Sequence, residues 1–202
     1  MRVIVIGGTG TIGSAVVKRL STRHEVVVVG HKKGTFQVDL ASPESITSLF
    51  KAIGTCDAVV STAGIAKFAS LDDLTYDDYF IGLKNKLMGQ ANLVRIGRSF
   101  VTNHGSFTLT SGVLSQNPIK GSASISMVNA GLEGFVRAAA IDLPRGLRVN
   151  VVSPPWVTET LIARGMDPSI GIPADQVAQA YMASVEGTMT GQTLDPRQTA
   201  GV

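Results

Sequence analysis

Residues 3–13 read VIVIGGTGTIG, four β-branched residues followed at once by a glycine-rich stretch. A short β-branched run that ends at glycine is typical of a strand buried on both faces of a parallel sheet. Beyond the glycines, apolar side chains recur at helical spacing, at Ile12, Val16, Val17 and Leu20. The stretch therefore predicts a strand, a tight turn and a helix, which together open a βαβ unit.

The same alternation continues along the chain. Further strands are predicted at 25–29, 35–38, 58–61, 106–110, 147–152 and 192–194, and further helices at 44–53, 76–99, 124–143 and 174–185. Strict alternation predicts an α/β fold, a Rossmann-like doubly wound parallel sheet of about seven strands, with residues 1–202 forming a single domain. Only nine residues, 30–38, separate the second strand from Asp39. That is too few for a crossover with a normal helix, so the second crossover is expected to be shortened and one face of the sheet to lack a helix.

The composition excludes several classes of protein. Charged residues make up 16% and hydrophobic residues 44% of the chain, which argues against a disordered tail. The net charge of +3 comes without runs of Lys and Arg, so no nucleic-acid partner is predicted. No apolar run is long enough for a membrane helix or a secretory leader. The single cysteine, Cys56, and the three scattered histidines predict neither a disulfide nor a metal site, and a cytoplasmic location is expected.

Three glycines stand three residues apart between the predicted strand and helix. Glycine there allows a tight turn and a close approach of the backbone to a pyrophosphate, which the helix N-terminus attracts through its unpaired N–H groups and dipole. The spacing differs from the commoner Gly-x-Gly-x-x-Gly, and turns use glycine in any case. The position between strand and helix nevertheless predicts a dinucleotide site formed by Gly7, Thr9, Gly10, Thr11, Ile12 and Gly13.

The end of the second strand indicates which dinucleotide binds. An acidic residue at this point would accept hydrogen bonds from the ribose hydroxyls of NAD, but the chain has Gly30-His31-Lys32-Lys33 instead. Basic side chains would pair with the extra phosphate of NADP. We therefore predict NADP(H) in preference to NAD(H), with His31 and Lys32 beside that phosphate. The alternative is a solvated basic loop.

Several segments, in their order along the chain, resemble the short-chain dehydrogenase/reductase family. They are the glycine loop, Asp39-Leu40, Ser61-Thr62-Ala63-Gly64, Thr110-Ser111-Gly112, residues 148–154 (RVNVVSP) and Gly191-Gln192-Thr193-Leu194. The resemblance implies that Asp39 and Leu40 line the adenine pocket and that Ala63 and Gly64 let the backbone approach the cofactor. It also implies that the nicotinamide faces Pro154, Val157 and a nearby threonine, Thr158 or Thr160. The family's Pro-Gly is here Pro154-Pro155, a stiffer turn.

The reaction centre departs from the family pattern. In the family a Tyr serves as general acid, and a Lys four residues later lowers its pKa and holds the ribose. No Tyr-x-x-x-Lys occurs in this sequence. Alignment of the helix at 124–143 puts Ile125 at the Tyr position and Asn129 at the Lys position. The usual proton donor is therefore expected to be missing, with Asn129 left to contact the ribose.

Two other polar residues match family positions. Ser111 matches the serine that donates a hydrogen bond to the substrate carbonyl, although its spacing from Ile125 is one residue off. A serine at the end of a buried strand often only caps a turn. Lys86 stands where the family usually has the Asn of Asn-x-x-Gly. In that register a lysine faces the centre that lost its lysine and can donate a proton or bind ribose hydroxyls; the alternative is a solvated helix lysine.

Three functions are left open by the sequence. The first is an NADP-dependent oxidoreductase with an unidentified small-molecule substrate, with Ser111 and Lys86 as candidate catalytic residues. The second is a non-catalytic NAD(P)-binding sensor or regulator, and the third is a structural role. The segment 155–173 that should cover a substrate shows no recognisable chemistry beyond Trp156. A homodimer or homotetramer through the helices 76–99 and 124–143 is expected by resemblance to the family.

Overall fold

Seven strands form one sheet in a computed structural model that describes residues 1–198. In chain order they are β1 (Arg2–Ile6), β2 (Glu25–Gly30), β3 (Phe36–Gln37), β4 (Cys56–Ser61), β5 (Val101–Thr110), β6 (Arg148–Val152) and β7 (Thr193–Leu194). They pair in the order β3-β2-β1-β4-β5-β6-β7, and every pair is parallel. This confirms the predicted doubly wound α/β sheet. The strand order reverses between β1 and β4, and ligands of such sheets bind outside the carboxyl ends of the strands at that point.

Helices connect the strands. They are α1 (Thr11–Leu20), α2 (Pro43–Ile53), α3 (Tyr76–Gly82), α4 (Gly89–Gly97), α5 (Ala123–Asp142), α6 (Thr158–Ala163) and α7 (Ala174–Glu186). The predicted helix at 76–99 is interrupted by a π-helical segment, Leu83–Met88, between α3 and α4. Short 3₁₀ turns lie at Val113–Ser115 and Pro168–Ile170. The segment 155–173, for which no element was predicted, contains α6.

The core lies on both faces of the sheet. On β1, Val3 and Val5 face a cluster that includes Val16 of α1 and Val177 of α7. The intervening side chains, Ile4 and Ile6, belong to the opposite cluster, with residues of α2, α4 and α5. Burial on both faces explains why β1 reads as an unbroken β-branched run rather than an alternating one.

The sheet agrees with the predicted short crossover after β2 but differs from the prediction in the length of β5. Residues 31–35 join β2 to β3 without a helix, so the shortened crossover is observed. Both faces nevertheless carry helices, α1 and α7 on one and α2, α4 and α5 on the other, so neither face is left bare, contrary to the expectation. The strand β5 begins at Val101, five residues before the predicted start, because Val101 pairs with Cys56 ahead of an irregularity in the register; pairing resumes at Ser106. Within residues 1–198, no helix has the length and apolar character needed to cross a membrane.

Candidate active site

A large cavity of about 570 Å³, here called the glycine-loop cavity, lies at the carboxyl ends of β1, β2 and β4. Eight of the residues predicted to bind a cofactor are in its wall: Gly7, Thr9, Gly10, His31, Asp39, Leu40, Ala63 and Gly64. Gly7 has φ +80°, and a Cβ there would lie 2.8 Å from the Ala63 backbone nitrogen. A side chain at this position would therefore strain the turn and collide with the end of β4.

The glycine loop leaves free hydrogen-bond donors at the start of α1. Gly13 packs so closely on the loop that a Cβ would lie 2.0 Å from the Gly7 carbonyl oxygen. Gly10, the N-cap of α1, offers no side-chain cap. The backbone N–H groups of Thr11, Ile12 and Gly13 find no acceptor among residues 1–198. A helix start of this kind attracts an anion through unpaired donors and its positive dipole end.

A basic loop, residues 31–33, borders this cavity through His31. His31 lines it, with Nδ1 3.3 Å from the Val38 carbonyl oxygen. The side chains of Lys32 and Lys33 are exposed, and neither forms an ion pair with another residue of the described chain. The Asp39 carboxylate accepts a hydrogen bond from the Ala41 backbone N–H. The two lysine charges are therefore not neutralised by a direct salt bridge.

A second cavity of about 220 Å³ lies beyond the ends of β5 and β6 and is called here the Lys86 cavity. Four predicted site residues share its wall: Lys86, Ser111, Asn129 and Pro154. Ile125 lies in the same wall, so an apolar side chain occupies the position matched to the family's Tyr. Val157, Thr158 and Lys32 line neither cavity.

Lys86 is buried, with 8% of its surface exposed. Its Nζ donates to the Ser111 carbonyl oxygen at 2.9 Å and to Asn129 Oδ1 at 2.7 Å. An ammonium carries three N–H donors, so one remains for a ligand in the cavity. Burial penalises the charged form and lowers the pKa of Lys86 to about 8. The alternative of a solvated helix lysine is therefore wrong.

Lys86 lies in the π-helical segment Leu83–Met88. Asn85 and Lys86 are neighbours in the chain but line different cavities, Asn85 the glycine-loop cavity and Lys86 its own. Asn85 Oδ1 also accepts from the Ile65 backbone N–H at 3.0 Å. A Cβ on Gly64 would lie 2.6 Å from Cγ of Lys86. Gly64 lines the cofactor side as predicted, but its missing side chain makes room for the lysine stem.

A buried carboxylate engages Ser111. The Glu133 side chain is 5% exposed, and its Oε1 accepts from the hydroxyls of Ser111 at 3.0 Å, Ser115 at 2.6 Å and Ser153 at 3.4 Å. A serine hydroxyl has one proton. In this arrangement the Ser111 proton is directed at Glu133, and the oxygen lone pairs of Ser111 are what remains for a ligand. The Ser111 side chain therefore does more than cap a turn, but it is not set up as the carbonyl donor that the resemblance implies.

Asn129 also differs from its expected use. It is 1% exposed, its Oδ1 is taken by Lys86, and its Nδ2 donates to the Gly112 carbonyl oxygen at 3.2 Å. One Nδ2 hydrogen is left for a ribose hydroxyl. The first role of this amide is thus to orient the ammonium group of Lys86.

Comparison with known proteins agrees with this architecture. A family model described as enoyl-(acyl carrier protein) reductase matches residues 11–193. The solved structure of the protein lin1944 from Listeria innocua is 38% identical, covers 96% of this chain and 98% of its own, and superimposes with a TM-score of 0.93. A small-chain dehydrogenase solved in complex with NADPH is 25% identical, with a TM-score of 0.84 over 96% of this chain and 95% of its own.

A curated relative extends the match to characterised proteins. Carbonyl reductase family member 4 of Danio rerio is 28% identical over 95% of this chain and 94% of its own length. The matched model runs from the first residue of α1, just after Gly10, through the segment that carries Lys86 to the first residue of the last strand. With the sheet order and the glycine loop described above, these findings show that the chain belongs to the short-chain dehydrogenase/reductase family.

Proposed function

We propose that this protein is an NADP(H)-dependent oxidoreductase that reduces a small carbonyl compound and uses Lys86 as its proton donor. One observation carries the proposal: a buried ammonium with a free N–H lies in a cavity next to a dinucleotide-sized one. A buried lysine with a lowered pKa is costly for a structure to keep unless its charge or its proton is used.

The residues present fit a dinucleotide. A pyrophosphate would be held by the free N–H groups of Thr11, Ile12 and Gly13 at the start of α1. Asp39 and Leu40 would bound the adenine, and His31 with Lys32 would meet a phosphate on the adenosine ribose. This basic loop, and the NADPH found in a structural neighbour, support NADP(H) over NAD(H).

Reduction of a carbonyl group requires a hydride at its carbon and a proton at its oxygen. Bound NADPH supplies the hydride to the carbonyl carbon, and the carbonyl oxygen needs a proton or a hydrogen-bond donor at the same time. Ile125 can supply neither. The ammonium of Lys86 has one free N–H, and its two hydrogen bonds to Ser111 and Asn129 fix the direction in which this N–H points. A pKa near 8 suits proton transfer close to neutral pH. The Ser111 oxygen, whose hydroxyl proton is directed at Glu133, would accept a hydrogen bond from the product hydroxyl.

A non-catalytic sensor is the second candidate. Ile125 favours it, because an apolar side chain stands in the cavity wall where the family has its general acid. In a sensor the cofactor would bind and change a partner surface, and no hydride would leave it.

Cofactor binding and cofactor consumption separate the two candidates. We expect purified protein to bind NADPH with a micromolar or lower Kd and to consume it with at least one member of a panel of aldehydes, ketones and flavins. Lys86→Met should cut turnover at least about tenfold and leave NADPH affinity within a few-fold, and Lys84→Met, an exposed neighbour on the same segment, is the matched control. Tight NADPH binding without consumption across the panel would favour the sensor. Unchanged turnover in Lys86→Met would remove Lys86 from the mechanism.

A further inference from the structure

The mouth of the Lys86 cavity carries an arginine that has no partner in the described chain. Arg164 follows the last turn of α6, lines the cavity, and is exposed. Its side chain makes no hydrogen bond or ion pair with any of residues 1–198. A guanidinium presents a planar fork of donors that matches a carboxylate in a two-bond contact.

The acidic residues nearest to Arg164 in the chain are already engaged elsewhere. Both carboxylate oxygens of Glu159 accept from the Ala174 backbone N–H, at 3.1 and 2.9 Å, and so close the start of α7. The Asp167 carboxylate accepts from the Ser169 backbone N–H at 2.9 Å. In the described chain neither carboxylate forms an ion pair with Arg164.

The rest of the cavity wall suits a small ligand that carries one negative charge and an apolar portion. Its charged members are Lys86 and Arg164, and no carboxylate lines it. Phe68, Leu114 and Trp156 supply the apolar surface. A volume of about 220 Å³ is below the roughly 300 Å³ at which pockets for drug-sized ligands begin, so the ligand is small.

We infer that the substrate of this site is a small oxo acid, a carbonyl compound whose carboxylate is bound by Arg164 while its carbonyl oxygen meets Lys86. The inference rests on the proposed function for the direction of the reaction. The carbonyl carbon gains a hydride and its oxygen a proton, so that the oxo acid becomes a hydroxy acid and NADPH becomes NADP⁺. Arg164 takes no part in the transfer and determines specificity.

The test uses matched pairs of ligands that differ in one charge. Pyruvate, acetoacetate and levulinate place a carboxylate at three distances from a carbonyl, and their methyl esters keep the carbonyl and remove the charge. Trp156 is the only tryptophan of the chain and lines this cavity, so its fluorescence reports binding to protein saturated with NADP⁺ even without turnover. We expect at least one acid to bind about tenfold or more tighter than its ester. The same preference should appear in kcat/KM for NADPH consumption.

Variants assign the preference to Arg164. Arg164→Gln should bring the acid and its ester to within about twofold of each other, Arg164→Lys should restore part of the difference, and NADP⁺ affinity should stay within twofold. Arg137→Gln removes an exposed arginine outside both cavities and should behave as the unmodified protein. Equal binding of acid and ester, no binding of any acid, or a loss of NADP⁺ affinity with the acid preference intact would overturn the inference. An acid preference in binding without NADPH consumption would keep the anion site and refute the proposed reaction.

Discussion

Replacement of Lys86 by Met should change how the stability of the protein depends on pH. The pKa of Lys86 falls from its ordinary 10.5 to about 8 because burial penalises the ammonium. Between these values the unfolded chain holds a proton that the folded chain has released, so the free energy of unfolding rises with pH across this window. At about 1.4 kcal/mol per pH unit, the rise from about pH 8 to 10.5 amounts to about 3 kcal/mol.

The assay is urea unfolding of the unmodified protein and of Lys86→Met at several pH values from 7 to 10.5. Other groups also titrate in this range. Burial raises the pKa of the Cys56 thiol to about 12, so its ionisation in the unfolded chain lowers stability above about pH 9. That contribution is common to both proteins, and the difference between their unfolding free energies isolates Lys86. This difference should be flat below pH 8 and should then rise in favour of the unmodified protein.

Two further variants complete the experiment. Lys84→Met removes an exposed lysine from the same helical segment and should leave the pH dependence unchanged. Lys86→Gln keeps a hydrogen-bond donor for Asn129 Oδ1 and the Ser111 carbonyl oxygen, which Lys86→Met leaves unpaired at a cost of about 1–3 kcal/mol each. If Lys86→Met fails to fold, Lys86→Gln takes its place in the comparison with the unmodified protein. If the unfolding free energies of the unmodified protein and Lys86→Gln run parallel from pH 7 to 10.5, the lysine is not desolvated and the argument for a proton donor fails with it.

Three other predictions concern the glycine loop, the basic loop and assembly. Gly13→Ala should lower the free energy of unfolding by about 1–3 kcal/mol and abolish NADPH binding measured by calorimetry, because its Cβ would lie 2.0 Å from the Gly7 carbonyl oxygen. The control Gly10→Ala, whose Cβ has its nearest neighbour at 3.4 Å, should keep the unfolding free energy of the unmodified protein. NADPH should bind more tightly than NADH, and the double variant Lys32→Ala, Lys33→Ala should lose that preference; equal dissociation constants in the unmodified protein would contradict it. Light scattering should give a dimer or tetramer, because Tyr76 (78% exposed), Met88 (51%) and Met127 (43%) leave apolar surface on the helices expected to pair; a 21.1 kDa particle at micromolar concentration would refute this.

The fold could be predicted from the sequence because it depends on local patterns. The β-branched runs of β1 and β2 and the glycines after β1 identify their elements without knowledge of any partner. The edge strand β3 is less marked: it is confined to Phe36–Gln37, while Thr35 and Val38 on either side also donate backbone hydrogen bonds to β2. The polar start of β5 was missed for a similar reason, since hydrophobic pattern carries no signal where a strand continues beyond the core.

The chemistry of the candidate site depends on contacts between distant segments. Lys86, Ser111 and Asn129 are identified by their positions in the family pattern, but the contacts of the Lys86 ammonium with Ser111 and Asn129 form only in the fold. Glu133 could have been noticed as a carboxylate next to Leu132 in the apolar stripe of α5. Its three serine partners could not, since Ser111 and Ser115 follow β5 and Ser153 follows β6, and these segments meet Glu133 only in the fold. Arg164 lay in a segment with no periodicity, and only the cavity gives it a role.

The contact between Lys86 and Asn129 connects two positions that the resemblance assigns to different roles. By that resemblance Lys86 would stand for the family's Asn and Asn129 for its Lys, and their side chains are joined by a 2.7 Å hydrogen bond. The pair therefore keeps one ammonium and one amide, but the ammonium is on the segment that carries residue 86 and the amide is on α5, the reverse of the family pattern. Asn129→Lys alone would bring a second ammonium against the first, and two like charges in a buried site destabilise each other.

Restoring the family's chemistry therefore requires three changes, Ile125→Tyr, Asn129→Lys and Lys86→Asn. We expect the first two together to lower the melting temperature and give no carbonyl reductase activity. The triple variant should recover stability and gain activity that depends on the new phenol. Equal melting temperatures for the double and triple variants would show that the positions are independent, and the exchange of lysine and asparagine would then carry no mechanistic meaning.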